Sequence, residues 1–205
     1  MEYELSLLTV SALLVAGVIG GFVNTLAGGG SMLTVPALLF LGMPADVANA
    51  TNRVGVLLQS LTGAKGFHNN DYLDTGAIMP VLVPTMLGAL VGALFASYMP
   101  VSLLKPILLG TMVTMALVML IFPSMVAPPE GTQSYSLKER PQAALALFAA
   151  GVYGGFVQAG VGFILIAALA GGLRYDLLRT NALKMVCTAA FCAVALAVFI
   201  FRGQV

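Results

Sequence analysis

Two cations stand inside apolar stretches of the sequence, and their position raises the first chemical question. Arg53 lies seven residues after Asp46, and Lys184 lies eight after Asp176. In a helix each spacing is about two turns, or roughly 10 Å, deeper than an end residue that only reaches back to the headgroups. A cation at that depth costs about 2.5–3.5 kcal/mol by insertion scales unless it is paired or hydrated. No Asp or Glu lies within the apolar stretches to pair with it. The absent counter-charge points to a bound anion. Neutral donors precede both cations, Thr51 and Asn52 before Arg53, Thr180 and Asn181 before Lys184. The competing reading is that the cations stretch along their stems to the headgroups or to Asp46 and Asp176.

A second group of residues suits the same chemistry. Gly28-Gly29-Gly30-Ser31 interrupts the first apolar run, with Asn24 just before it, and Gln158-Ala159-Gly160-Val161-Gly162 interrupts a later one. Neither is a phosphate loop: no Gly-Lys-Ser/Thr follows, and no strand precedes a helix. In a membrane a broken helix is tolerated where it lines a cavity. The half-helix starting near Ser31 would present unpaired N–H groups carrying positive partial charge, which attract anions. Paired breaks of this kind hold substrate near the midplane of repeat-built transporters. The sequence therefore nominates Asn24, Gly28, Gly29, Gly30, Ser31, Thr51, Asn52 and Arg53 in one half. In the other it nominates Gln158, Gly160, Gly162, Thr180, Asn181 and Lys184. The glycine pairs Gly17/Gly21, Gly88/Gly92 and Gly151/Gly155 are read instead as close helix packing.

Composition dictates what must position these residues. The chain is 60% hydrophobic and 8% charged, with mean hydropathy +1.00. Soluble domains carry about a quarter charged residues. Residues 5–45, 141–173 and 185–201 carry no charge, and 77–123 carry only Lys105. Runs of this length span a bilayer as helices, and they lack the alternation of a membrane barrel strand. The expectation is an all-α polytopic membrane protein with broken, re-entrant or half helices. Segments are expected at about 5–26, 31–42, 46–64, 77–98, 101–123, 141–157, 162–172 and 176–201, with Asp46 as an N-cap. A polar loop is expected over roughly 65–76, including His68. The acidic start at Glu2 and Glu4 argues against a cleaved signal peptide and for a retained span.

The net charge of +1 argues against nucleic acid as a partner. Cys187 and Cys192 stand five apart in one segment, a spacing for neither metal nor redox chemistry, and His68 has no company of ligands. No metal or cofactor is expected. Without a catalytic constellation, an intramembrane enzyme is the weakest class.

The chain also reads as two related parts. Gly17–Val23 and Gly151–Val157 agree at six of seven positions, which pairs Asn24 with Gln158 and Gly28 with Gly162. A different register sets Arg53 opposite Lys184. The expected division is a first repeat over 1–123, a polar linker over 124–140 and a second repeat over 141–205. The second repeat shows no counterpart of the segments at 77–98 and 101–123, so the repeat pattern predicts two further C-terminal helices.

Phe22–Pro36 (FVNTLAGGGSMLTVP), Leu41-Gly42-Met43-Pro44 and Ala48–Arg53 (ANATNR) resemble the sulfite exporter TauE/SafE family of bacterial membrane permeases. Arg53 stands where Lys is commoner, which keeps the charge. Pro36 has no equivalent in the second half, and the second glycine run is degenerate. The resemblance implies a multi-pass protein of the bacterial cytoplasmic (inner) membrane, with about eight spans. It would move small anions such as sulfite, an organosulfonate or a related sulfur or carboxylate anion. The expected partners are that anionic substrate and the lipid bilayer, with a homo-oligomer left open. The alternative is a non-transporting membrane subunit or permease fragment that acts only by helix packing.

Overall fold

A computed structural model of the chain describes residues 7–121 and 128–203. The acidic start, residues 5–6 and 122–123 of two expected segments, and residues 124–127 of the linker lie outside these residues. The described residues form helices and no strand. The helices are α1 (Leu7–Leu26), α2 (Ser31–Phe40), α3 (Ala45–Asn69), α4 (Thr75–Tyr98), α5 (Val101–Ile121), α6 (Gln142–Phe156), α7 (Val161–Ile166) and α8 (Leu177–Phe201). A π-helical turn, Ala167–Gly172, continues α7. Four of the helices contain stretches long and apolar enough to cross a membrane: Thr9–Leu26, Thr75–Tyr98, Val101–Val118 and Leu177–Phe201. Their outward faces are Leu, Val and Phe, as at Leu14, Phe22, Val83, Phe95 and Leu120. Such a surface suits lipid rather than water. The chain is a multi-pass helical membrane protein.

Two boundaries differ from expectation for physical reasons. The polar stretch after residue 64 continues α3 to Asn69, so Lys65 and exposed His68 sit on helix rather than loop. Polar residues are no bar to a helix once it has left the apolar layer. The turn is only 70–74, and it ends at Asp74, whose carboxylate caps α4 by accepting from Gly76 and Ala77 N–H. Asp46 is not the N-cap of α3; Pro44 occupies that position and Asp46 lies in the first turn. There an acid still complements the positive helix end.

Contacts fix the helix directions. Arg53, early in α3, reaches Phe199, late in α8, while Gly63, late in α3, lies against Met185, early in α8. These two helices are therefore antiparallel. Along α4 and α6 the pairings advance together in two rows: Gly151 meets Thr85 and Gly155 meets Ala89, while Gly88 meets Phe148 and Gly92 meets Val152. These helices run parallel at backbone contact. A Cβ at Gly88, Gly92, Gly151 or Gly155 would strike a carbonyl of the facing helix, which is the close approach that small residues permit in membranes. Gly17 differs from its expected packing role, for a Cβ at that position would meet nothing within 4 Å.

One end of the bundle is tied by polar contacts. The Tyr135 N–H donates to the Leu173 carbonyl at 2.8 Å, and the Arg140 guanidinium lies 4.6 Å from the Tyr135 ring centroid. Arg174 and Arg140 hold the Tyr135 hydroxyl below the usual phenol range. The Tyr175 hydroxyl donates to Asp74 at 3.2 Å. Burial, reinforced by the Asp74 charge, pushes Tyr175 up to about 12.

Candidate functional site

The chain breaks between α1 and α2 at residues 27–30, and between α6 and α7 at 157–160. The two breaks touch. A Cβ on Gly28 would overlap the Cα of Gly162, and the reverse also holds. Each turn needs the left-handed backbone region, with φ of +87° at Gly28 and +67° at Gln158.

A helix end leaves its last carbonyls without N–H partners. At the end of α1, Ala27 and Gly28 both donate to the Val23 carbonyl, and at the end of α6, Val157 and Gln158 both donate to that of Tyr153. The carbonyls that follow are where the two buried cations go. Arg53 donates to Gly154 O and Gly155 O at 2.8 Å each and to Phe156 O at 3.3 Å. Lys184 donates to Asn24 O at 3.1 Å, Thr25 O at 3.0 Å and the Asn181 carboxamide oxygen at 2.6 Å. Arg53 is wholly buried and Lys184 nearly so. The arrangement is crossed: α3 clamps the broken end of α6, and α8 clamps the broken end of α1. The partial negative charge of a helix C-terminus supplies the partner that a search for Asp and Glu overlooks. Both cations thus have neutral oxygen partners and no carboxylate among these hydrogen bonds, and Arg53 Nε stays without a hydrogen-bond partner.

The two helix ends share one hydrogen-bonding pattern. Val23 corresponds to Tyr153 and Gly28 to Gln158 in hydrogen bonding and φ. The Gly17–Val23 match instead pairs Gly28 with Gly162, four residues further on. Four residues is about one helical turn, so a glycine motif can slide by that amount and keep its face. Gly28 and Gly162 are neighbours in space.

A cavity of about 150 Å³ lies between α1, α2 and α3. Its polar lining is Asn24, Ser31, Thr34, Asn52 and Gln59, and its apolar floor includes Gly20 and Val56. Asn24 donates to Gln59 Oε1 at 3.1 Å. Gln59 in turn donates to Gly21 O at 2.7 Å and Thr25 Oγ at 3.0 Å. Asn52 donates to Ser31 Oγ at 3.1 Å. The cavity meets the N-terminus of α2. There the first backbone bonds run from Met32 to Gly29 O and from Leu33 to Gly30 O, and no side chain caps the helix. The N–H groups of Gly29, Gly30 and Ser31 thus have no acceptor among the described residues.

Of the residues nominated from sequence, Asn24, Gly30, Ser31 and Asn52 line this cavity. Gly28 and Gly162 form the contact between breaks, and Gly29 abuts the Phe163 ring. Thr51 is half-buried and does not line the cavity. Gln158 is buried and donates to Cys192 Sγ at 3.2 Å, Gly160 lies against Met115, and Thr180 donates to Tyr175 O. Asn181 serves Lys184. Neither cation lines the cavity. Thr34 and Gln59 were missed; both are uncharged, and Gln59 lies a turn and a half beyond Arg53, outside the motif. Among the described residues no group of three or more His, Cys, Asp or Glu side chains converges as a metal site.

Comparison with known proteins decides the family. The model of the sulfite exporter TauE/SafE family matches residues 13–205. The chain belongs to that family. It is 31% identical to a probable membrane transporter protein of Sinorhizobium over 122 residues, covering 60% of this chain and 47% of that protein. It is 28% identical to a probable membrane transporter protein of Escherichia coli over its whole length, covering 77% of the relative. A probable membrane transporter protein of Haemophilus influenzae is 26% identical, again over all of this chain and 78% of the relative. No solved structure matches the chain. The TauE/SafE match includes both breaks, both cations and the cavity.

Proposed function

We propose that this TauE/SafE protein carries small anions across the bacterial cytoplasmic membrane, with sulfite, organosulfonates or similar sulfur or carboxylate anions as the substrate class. The cavity between α1, α2 and α3 carries the reading. Unpartnered N–H groups at Gly29–Ser31 supply positive partial charge, and the Ser31, Asn24 and Asn52 side chains supply polar contacts. The volume of about 150 Å³ holds about five waters at ~30 Å³ each, which favours compact anions. The relatives, each named as a probable membrane transporter protein, support the transport class.

The crossed clamps support a second part of the proposal. Two repeats of opposite direction, each containing a broken helix, rock about the contact of Gly28 with Gly162 and alternate access. The antiparallel course of α3 and α8 supports opposite direction. Arg53 and Lys184 take positioning roles here, holding the breaks that shape the cavity.

Uptake of radiolabelled sulfite into liposomes containing the purified chain tests the proposal. Saturable uptake that competing sulfite abolishes, and that Ser31→Ala reduces, is the expected result. Uptake no greater than in empty liposomes would refute transport by the chain alone and favour a packing subunit.

A further inference from the structure

The hydrogen bonds around Asn52 have a direction, and that direction determines what Ser31 can do. Thr34 Oγ lies 2.5 Å from Asn52 Oδ1, and Asn52 Nδ2 lies 3.1 Å from Ser31 Oγ. The shorter distance suits O–H···O and the longer suits N–H···O. They therefore fix the carboxamide, whose two ends would otherwise be interchangeable. Asn52 is only 7% exposed, so it has little water with which to exchange partners.

Gly30 O, at 3.5 Å, is the weaker acceptor for Thr34, so Thr34 donates to Asn52, and Asn52 donates to Ser31. A hydroxyl has one proton. Ser31, accepting from an amide that has no lone pair to offer in return, must send its proton elsewhere. The common outlet on a helix is the carbonyl four residues back. Thr25 and Thr85 take it, donating to Gly21 O and Val81 O, whereas Ser31 sits at a helix start where the preceding residues form the break. The open direction is the cavity that Ser31 lines.

We propose that Thr34 and Asn52 are positioning residues that commit the Ser31 hydroxyl to donating into the cavity, which selects ligands presenting an unprotonated oxygen. The inference rests on the cavity being the anion site proposed above. Reversing the relay would turn Ser31 into an acceptor and set a lone pair against an anion.

Titration calorimetry of the purified full chain with sodium sulfite tests it, using wild type, Thr34→Ser, Thr34→Val, Ser31→Ala and the Ser31→Ala/Thr34→Val pair. Thr34→Ser keeps the hydroxyl and should stay within about twofold of wild type. Thr34→Val and Ser31→Ala should each weaken sulfite by about 10- to 150-fold, the loss of one hydrogen bond to a charged group. The pair should be no worse than the weaker single variant, because both substitutions remove the same donated proton. Should Thr34→Val fail to fold, Thr34→Cys, a weak donor of similar size, carries the same expectation. Wild-type affinity in Thr34→Val, or losses that multiply in the pair, would overturn the relay while leaving the site standing. Absence of sulfite binding by the wild type would overturn the site and the relay together.

Discussion

Replacing Arg53 by Met separates two roles for this cation. In the structure Arg53 is wholly buried and donates two 2.8 Å bonds to Gly154 and Gly155 carbonyls, with a third at 3.3 Å to Phe156. A hydrogen bond from a charged donor is worth about 1.5–3 kcal/mol, so the two short bonds represent about 3–6 kcal/mol. Against this, Met avoids the insertion cost of a buried cation, about 2.5–3.5 kcal/mol. The difference runs from about −0.5 to about 3.5 kcal/mol, centred on roughly 1.5 kcal/mol of destabilisation at the end of α6. Arg53→Lys keeps the charge but lacks the fork that spans two carbonyls, and it should fall between Met and wild type. The assay is thermal unfolding of the purified chain in lipid nanodiscs, with and without sulfite. A clamp predicts a lower midpoint for Arg53→Met even without anion. If Arg53→Met unfolds at the wild-type midpoint without sulfite and loses only the shift that sulfite induces, Arg53 serves the anion and the clamp reasoning is wrong.

The same structure yields further expectations. Lys184→Met should free the end of α1, measured as faster amide exchange at Asn24–Gly28, whereas unchanged protection there would contradict the second clamp. Gly28→Ala and Gly162→Ala each drive a methyl into facing backbone and should abolish a monodisperse preparation. Gly17→Ala, with open space around it on the cavity wall, should fold normally and slow sulfite uptake. Tyr175, held up to about 12 against a usual phenol value near 10, lends stability that is complete below about pH 10 and lost between about 10 and 12. Tyr175→Phe should flatten that part of a stability–pH curve.

Much of the fold was legible because bilayer physics leaves little choice. Long uncharged runs had to be helices, and Gly42, Met99-Pro100 and the break at Gly28–Gly30 ended them where the chain turns. The reach of α3 to Asn69 was not legible, because a polar helix end outside the apolar layer looks like loop. The candidate cavity was half visible. Asn24 and Ser31 are polar residues beside a glycine break and Asn52 stands next to an intramembrane cation, but Thr34 and Gln59 are ordinary neutral residues whose value comes from partners on other helices. The cations were found and their partners were not. Backbone carbonyls at a broken helix carry no mark in sequence, so Arg53 and Lys184 read as unpaired. The glycine match of Gly17–Val23 with Gly151–Val157 and the turn hydrogen bonds at Val23 and Tyr153 align these segments four residues apart.

The crossing of the clamps also constrains how the protein is made. The carbonyls that receive Arg53 lie 101–103 residues further along the chain. At about 5–20 residues per second, the ribosome delivers them roughly 5–20 seconds after Arg53 itself. Through that interval α3 carries a cation whose final partners do not yet exist, and α1 ends in carbonyls whose Lys184 arrives later still, 160 residues after Asn24. Neither half can settle by itself into the arrangement seen here. A cation at that depth needs water or another partner in the meantime, and the crossed contacts close only once α6 and α8 are delivered.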